Sequence, residues 1–453
     1  MPHRIKSGGP SLSVRRAAGL LGLVGVLVLV TGCHDWTGYM GNPALNGSDT
    51  NEHAIGIGNV ASLAEMYTVP LGNAAPTTGV TVSGSRLFAA SLTTLIAADL
   101  NGTANCAGPP TVCQPLWTAP LTPESIGASS QPLVRNGVVY ESSDGNAGNG
   151  QLAAYDANGT ANCSGTPVVC QALWTANVAS SFGPNVDGGT LFITDYNASQ
   201  LEAFDASGVT NCAGTPKVCQ PLWTAPIRSS SVPSVAGGKV YVTSYSTTSP
   251  ELAVYDEAGA TGCSGSPRVC QPLFTAPLPA PSSSPNGSVD VSGGVAYLGS
   301  GAQLVAVDAT GTTNCSGSPT LCQPLWTAYV GTMDDSTPAV AGGRVYVAAT
   351  QGLGVFWAFD ASGTTNCAGT PKVCHELFSG PSGHVYDISP VVTNGLVFAG
   401  GYAWDATGVN CPVGQPCTPI WHTTVSASTS ATVAAGTLLL RDAAGTIHAY
   451  RLP

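Results

Sequence analysis

The sequence predicts an all-β protein, built as an eight-bladed β-propeller of four-stranded antiparallel blades. Three observations predict it: a unit of about fifty residues recurs along the chain, each unit holds four strand-like runs, and a tight-turn signal appears eight times. Composition agrees. With 56 glycines, 34 prolines and 9 % charged residues in 453, the chain is rich in turn formers, yet 43 % of it is hydrophobic. That balance suits neither a helical bundle nor a disordered polymer.

The elements of one unit read clearly from Ser336. "STPAVAGGRVYVAAT" gives an apolar strand, a Gly-Gly turn and an alternating strand, and "GVFWAFDASG" gives a third strand with its turn. A loop with two cysteines follows, then a fourth strand of the "LWTA" type. Four strands joined as a meander make a propeller blade. The turn before the second strand recurs at Ser83-Gly84, Asn136-Gly137, Gly188-Gly189, Gly237-Gly238, Gly293-Gly294, Gly342-Gly343, Asn394-Gly395 and Ala435-Gly436. Such pairs suit tight hairpins, whose central residues need positive φ.

The eighth unit stops at "TIHAYRLP", after its third strand. Its fourth strand is expected at the other end of the chain. "LAEMYTVPL", Leu63 to Leu71, aligns with the "QPLWTA" strands, and Tyr67 stands where those have Trp. The N-terminal strand then completes the last blade and closes the ring, which removes the open sheet edges of a linear array.

The first residues read as an address. Arg15 and Arg16 precede an apolar run from Ala17 to Val30, which is short for a membrane span, and "VTGC" ends at Cys33. The pattern is that of a secretory signal, and its ending resembles the bacterial lipobox, whose cysteine becomes the lipidated first residue. Residues 1–32 are therefore expected as a lipoprotein signal peptide, 33–58 as a lipid-anchored tether and lead-in segment, and 59–453 as the propeller. The expected location is the cell envelope, at the outer membrane or the outer face of the cytoplasmic membrane. Four of the 14 cations precede Cys33, which leaves ten against 25 acids, a formal net of −15. Such a chain offers no electrostatic footprint for nucleic acid, and its net charge opposes anionic head groups.

Fifteen cysteines leave one odd, Cys33. The others pair locally as Cys106/Cys113, Cys163/Cys170, Cys212/Cys219, Cys263/Cys270, Cys315/Cys322, Cys367/Cys374 and Cys411/Cys417. No Cys-x-x-Cys-His string offers haem attachment, and each loop brings two cysteines where structural zinc wants four ligands. Structural disulfides in an oxidising compartment are expected, each closing a small loop worth about 2.5 kcal/mol in chain entropy. The stapled loops are expected to decorate one face of the ring.

The third-strand phrases "YDANG", "FDASG", "YDEAG", "VDATG" and "WDATG", each leading to an "LWT"-like strand, resemble the PQQ-like repeat of quinoprotein-type β-propellers. "DWTGYMGNPALNG", Asp35 to Gly47, resembles the segment that often precedes such propellers. The resemblance implies the fold, and it implies that Trp117, Trp174, Trp223, Trp326 and Trp421, with Phe274 and Phe378, pack between blades. An aromatic ring for sugars is the alternative. The family spans dehydrogenases, an outer-membrane assembly lipoprotein and uncharacterised surface proteins, so it leaves function open. This chain departs from the family in setting a cysteine loop between the turn glycine and the Trp. It also lacks the adjacent cysteines that the family's dehydrogenases carry beside their cofactor.

Repeated aspartates such as Asp308 and Asp360 are expected to be structural, because a residue in nearly every blade marks no single site. A ligand face is better sought where the repeat is broken. Asp334, Asp335, His384, Tyr386 and Asp387 are the candidates, with Glu124 and Asp144 on the same side of the ring. Such carboxylates suit Ca²⁺ or acid–base work as well as ordinary Asx turns. The function expected is a non-catalytic, lipid-anchored, monomeric scaffold for a protein or glycan partner, without cofactor or metal. The alternatives are a PQQ- and Ca²⁺-dependent dehydrogenase, and a hydrolase or lyase using the acidic channel mouth.

Overall fold

The computed structural model describes residues 35–72, 79–121, 130–144, 149–180, 182–244, 246, 249–279, 287–333, 336–349, 355–382, 388–412 and 416–453. Eight sheets follow one another along the chain, each a blade. Blade 1 consists of Thr81–Ser83, Arg86–Ala90, Thr94–Asp99 and Trp117–Pro120. Its register sets Leu87 opposite Ala98 and Ile96 opposite Thr118. The last blade closes as expected: Ala64–Pro70 pairs antiparallel with Thr446–Arg451, placing Thr68 opposite His448.

The repeated Asp, Gly and aromatic positions form one device. In blades 1 to 7 an aspartate at the end of the third strand caps the following turn. Asp156, for example, accepts N–H bonds from Asn158, Thr160 and Ala161. The glycine of that turn then receives the aromatic residue of the preceding blade. A Cβ on Gly208, where φ is +66°, would lie 2.1 Å from Trp174 Cδ1, and one on Gly259 would lie 2.2 Å from Trp223 Cδ1. Only glycine admits both the conformation and the contact. The tryptophans are buried, Trp174 to 2 % exposure and Trp421 to 8 %, so they are packing residues and form no ring open to sugars.

The cysteine loops do more than the sequence suggested. All seven pairs are joined as disulfides. In six units the stapled loop is a short hairpin that leaves its own blade and lies parallel to the outer strand of the preceding one. Val169 faces Thr118 in this way, Val218 faces Thr175, and Val269 faces Thr224. The pairing adds backbone bonds such as Thr118 N–H to the Val168 carbonyl at 3.0 Å. Six blades thereby become six-stranded, where four strands were expected. Each outer edge is covered by the next unit, which relieves the edge-strand liability.

The staples are also more than surface features, because half of each one belongs to the core. The second cysteine of every pair is buried: Cys113, Cys170, Cys219, Cys270, Cys322, Cys374 and Cys417 are at most 3 % exposed. The first cysteines remain only partly buried, at the rim. The cause is the hairpin's docking on the preceding blade, whose strand alternation turns the second sulfur inward. It joins the cluster that holds that blade's aromatic residue. Cys113 lies in the cluster of Tyr67, Cys170 in that of Trp117 and Cys219 in that of Trp174. Cys322 shares its cluster with Phe274, and Cys374 shares its own with Trp326. Each sulfur bridge thus fills space at a blade junction as a small apolar group.

Two blades depart. Blade 6 has only Ala339–Ala341, Arg344–Ala349, Val355–Asp360 and Phe378–Pro381. Among the described residues of the Cys411–Cys417 loop no ladder to it is found, and Cys417 N–H reaches the Ser379 carbonyl at 2.7 Å. Blade 7 instead gains a strand at its inner edge, Ser48–Asp49, parallel to Val391–Thr393.

Candidate functional site

Meander topology gives the ring two faces. One carries the turns between first and second strands and the bends after third strands, and we call it the turn face. The opposite one carries the turns between second and third strands and the links between blades, and we call it the connection face. Between them runs a central channel lined by the first strands, whose inner edges need hydrogen-bond partners.

Residues 35–58 supply those partners. Asp35 caps the first turn of blade 1, accepting from Ser83 Oγ and Gly84 N–H at 2.8 Å each. The chain then enters the channel and tours the ring. Carbonyls of Trp36, Thr37, Pro43, Ala44, Asn46 and Gly47 accept from Val82, Val134, Val235, Val291, Val340 and Val392, at 2.7 to 3.0 Å. Blade 3 joins through Asn185 Nδ2 to the Pro43 carbonyl at 2.8 Å, and blade 8 through Gly436 N–H to Glu52 Oε2 at 2.8 Å. Met40 and Leu45 are buried in the channel, and the Tyr39 hydroxyl lies 2.9 Å from both Thr337 Oγ1 and Ser389 Oγ. The segment expected as a tether is thus an internal plug that touches all eight blades.

Above the plug a belt of polar side chains ties first strands together. Asn185 Nδ2 donates to the Pro233 carbonyl at 2.8 Å, Thr432 Oγ1 donates to the Val80 carbonyl at 2.6 Å, and Ser234 Oγ donates to the Val289 carbonyl. The residue at this repeat position in blade 5 is Asp290. It is wholly buried; one oxygen accepts from Ser292 Oγ at 2.7 Å, and the other, Oδ2, has no hydrogen-bond partner. Burial pushes its carboxyl well above the ordinary range, against the opposing effect of the Ser292 hydroxyl. The other residues at this repeat position, Thr81, Asn185, Ser234 and Thr432, are hydroxyl or amide donors.

Other titratable groups cluster toward the connection face. Glu202, 8 % exposed, is raised to about 7 by burial and then by the nearby Asp195 charge. Glu141 is buried and accepts from Ser130 Oγ at 2.9 Å. Arg441, also buried, donates to the Ala90 carbonyl at 3.2 Å, and burial lowers it to about 10 despite the Asp442 charge. On the closing blade, His448 bridges Glu65 Oε2 at 2.9 Å and Asp442 Oδ2 at 3.2 Å, tying the N-terminal strand to the last hairpin. The repeated aspartates behave as expected. Burial alone would raise Asp205, but the Thr210 and Ser207 donors outweigh it and hold it at about 2.

Grooves lie between stapled loops and their neighbours. One of about 480 Å³ is lined by Asn211, Trp223, Glu257 and Arg268. A wider one of about 580 Å³, beside the Cys411 end of the blade 7 staple, is lined by Arg344, Trp357, Asn366, Glu376, Phe378 and Thr407. Among the described residues no three His, Cys, Asp or Glu side chains are placed to hold a metal ion, and no helix is long and apolar enough to cross a membrane.

Asp334, Asp335, His384, Tyr386, Asp387, Glu124 and Cys33 lie outside the described residues. Asp144 ends the second strand region of blade 2, at the connection face. Sequence reasoning missed Asp290, Glu202 and the plug. Asp290 had a visible signal, because the same repeat position holds Thr81, Asn185, Ser234 and Thr432.

No family model matches the sequence, and no curated protein matches it. Solved structures do. BamB from Moraxella catarrhalis is similar over 86 % of this chain and 98 % of its own, at 13 % identity and a TM-score of 0.55. The computationally designed Ika8 protein is similar over 85 % of this chain and 99 % of its own, at 12 % identity and a TM-score of 0.56. A quinohemoprotein alcohol dehydrogenase, ADHIIG from Pseudomonas putida HK5, covers 92 % of this chain at 10 % identity, with 80 % of its own length and a TM-score of 0.43. The likeness to BamB is one of fold, and it agrees with the propeller that the third-strand phrases imply.

Proposed function

We propose that this chain is a non-catalytic, lipid-anchored scaffold of the cell envelope that offers its connection face to a protein or glycan partner. The filled channel carries this reading. Residues 36–49 occupy the axis with the chain's own backbone and side chains, so binding is left to the outer surfaces. The repeated residues that resemble chemical motifs are engaged in structure: aspartates cap turns, aromatics sit on glycines, and cysteines staple hairpins. The fold-level likeness to BamB is compatible with a scaffold in the envelope.

The non-repeated residues Asp334, Asp335, His384, Tyr386 and Asp387 are the proposed contacts, in the links that lead into the first strands of blades 6 and 7. Crosslinking and pull-down from native envelope tests this, comparing the wild type with an Asp334→Asn/Asp335→Asn/Asp387→Asn variant. A partner captured by the wild type and lost from the folded variant supports the reading. Alcohol oxidation that appears on adding PQQ and Ca²⁺ would overturn it.

A further inference from the structure

We infer that the propeller is mounted directly on a lipid bilayer, turn face against the head groups and connection face turned away. The inference rests on the proposed lipidation of Cys33 and adds to it an orientation. A lipoprotein commonly imagined on a flexible stalk has none here. Asp35 is fixed to the first turn of blade 1 by two hydrogen bonds of 2.8 Å, and the next residue, Trp36, is 3 % exposed. Only His34 separates Asp35 from Cys33. Two residues of fully extended chain span about 7 Å. An acyl chain on Cys33 therefore holds the turn of blade 1 at the membrane surface. The rest of the lead-in adds no slack, because it enters the channel and leaves it again at the turn face, where Glu52 bonds Gly436.

The surface of that face is consistent with contact. Val209 and Val409 are 70 % and 74 % exposed and occupy one repeat position, in blades 3 and 7. The other units place Thr103, Thr160, Ala260, Thr312 and Thr364 there. Blades 3 and 7 stand on opposite sides of an eight-blade ring, so the two valines are a pair of apolar feet. Ile57, 42 % exposed, is a third on the same face, packed beside the turn glycine Gly395. Interfacial aliphatic side chains of this kind add apolar burial to an acyl anchor. Charge does not favour this face for an anionic bilayer. Eight of the ten cations after Cys33 stand at the turn-face end of the blades, but the capping aspartates of blades 1 to 7, Asp99 through Asp405, stand there too, with Asp35, Glu52, Asp187, Glu257 and Glu376. The apolar contacts and the short lead from Cys33 therefore carry the orientation.

The test uses the full lipidated protein in phosphatidylcholine vesicles that carry a head-group acceptor fluorophore. A donor dye is attached through an azide-bearing residue at position 209 or, separately, at position 329, where Tyr329 is 68 % exposed at the connection-face end of an outer strand. The expected result is energy transfer several-fold stronger from 209 than from 329. A flexible Gly/Ser insert of about twenty residues between His34 and Asp35 should abolish that difference, since such a linker behaves as a coil. Equal transfer, stronger transfer from 329, or insensitivity to the insert overturns the mounting. Palmitate labelling, with Cys33→Ser as control, separates the two failures. An unlabelled wild type overturns the lipid anchor and the mounting together, whereas a labelled protein with equal transfer overturns the mounting alone.

Discussion

The junctions of blade 3 with blade 4 and of blade 6 with blade 7 are written in the same repeated phrase and finish differently. On blade 3, the outer strand Trp223–Pro226 carries the blade 4 hairpin, with Thr224 opposite Val269 and a Thr224 N–H bond to the Arg268 carbonyl at 3.0 Å. On blade 6, the outer strand Phe378–Pro381 has no such ladder among the described residues, which give it the Cys417 N–H bond to the Ser379 carbonyl instead. The aromatic seat is kept at both: Gly259 lies under Trp223 and Gly408 under Phe378. The difference separates two layers of design. Ring geometry belongs to the aromatic on glycine, and the latch is an addition that one junction does without.

The largest effect should therefore come from the shared seat. Gly259→Ala and Gly408→Ala place a Cβ 2.2 Å and 2.4 Å from the neighbouring ring, at φ of +60° and +70°. Each should cost about 3 kcal/mol or more, read by thermal or urea unfolding. If Gly408→Ala is tolerated while Gly259→Ala is not, the seat is not common to both junctions.

The latch comes next. Removing Cys263 and Cys270 together should lose about 2.5 kcal/mol of loop-closure stabilisation, and a further contribution of about 1 kcal/mol as the pairing with blade 3 frays. Removing Cys411 and Cys417 should lose the closure part alone. Cys270 and Cys417 are both buried, so the loss of a core sulfur is common to the two variants and cancels in the comparison. Hydrogen exchange at Thr224 should rise in the first variant, and equal losses in the two would show that the latch contributes nothing.

A third contrast lies within the third strands, where blade 3 has Glu202 and blade 6 has Trp357 at one repeat position. Unfolded, the glutamate releases its proton near 4.5; folded, it does so near 7. Its contribution is therefore best below pH 4.5, worsens as pH climbs to about 7, and is constant above. Glu202→Gln should raise stability at pH 8 by about 2 kcal/mol and flatten that interval in a pH series of melts. A variant that keeps the wild-type slope would locate the titration elsewhere.

The smallest effect concerns Asp290, which holds the place that Asn185 fills in blade 3. Asp290→Asn supplies a permanent donor toward the next first strand and should gain about 1 kcal/mol at neutral pH. Its advantage should shrink toward pH 4, where the unfolded aspartate keeps its proton as well. A loss at every pH would mean that Oδ2 serves some other role.

Much of this was legible because repeats advertise themselves. Eight turn glycines number the blades, and Tyr67 in an "LWT"-like frame announces the closing strand. Local cysteine spacing gives the staple, but it says nothing about which strand the hairpin meets, since that pairing crosses from one unit to the next. For the same reason it hides that Cys113, Cys170, Cys219, Cys322 and Cys374 face the core while their partners face the rim. The lead-in was harder still. Residues 35–49 have no strand periodicity, because most of the bonding to the blades is done by backbone carbonyls, joined by the Asp35 and Tyr39 side chains. The candidate acidic face stood out for breaking the pattern, and a broken pattern yields position without geometry.

The plug also has a consequence in time. Residues 36–52 leave the ribosome before every blade they will bind, yet their partners run from Val82 to Gly436. No partial chain can seat them, and blade 8 cannot close until Arg451 has arrived beside Ala64. Blades can stack one by one as they emerge, in the manner of repeat proteins. The axis, by contrast, is filled only once, at the end, so a chain that loses its last hairpin should lose its centre too.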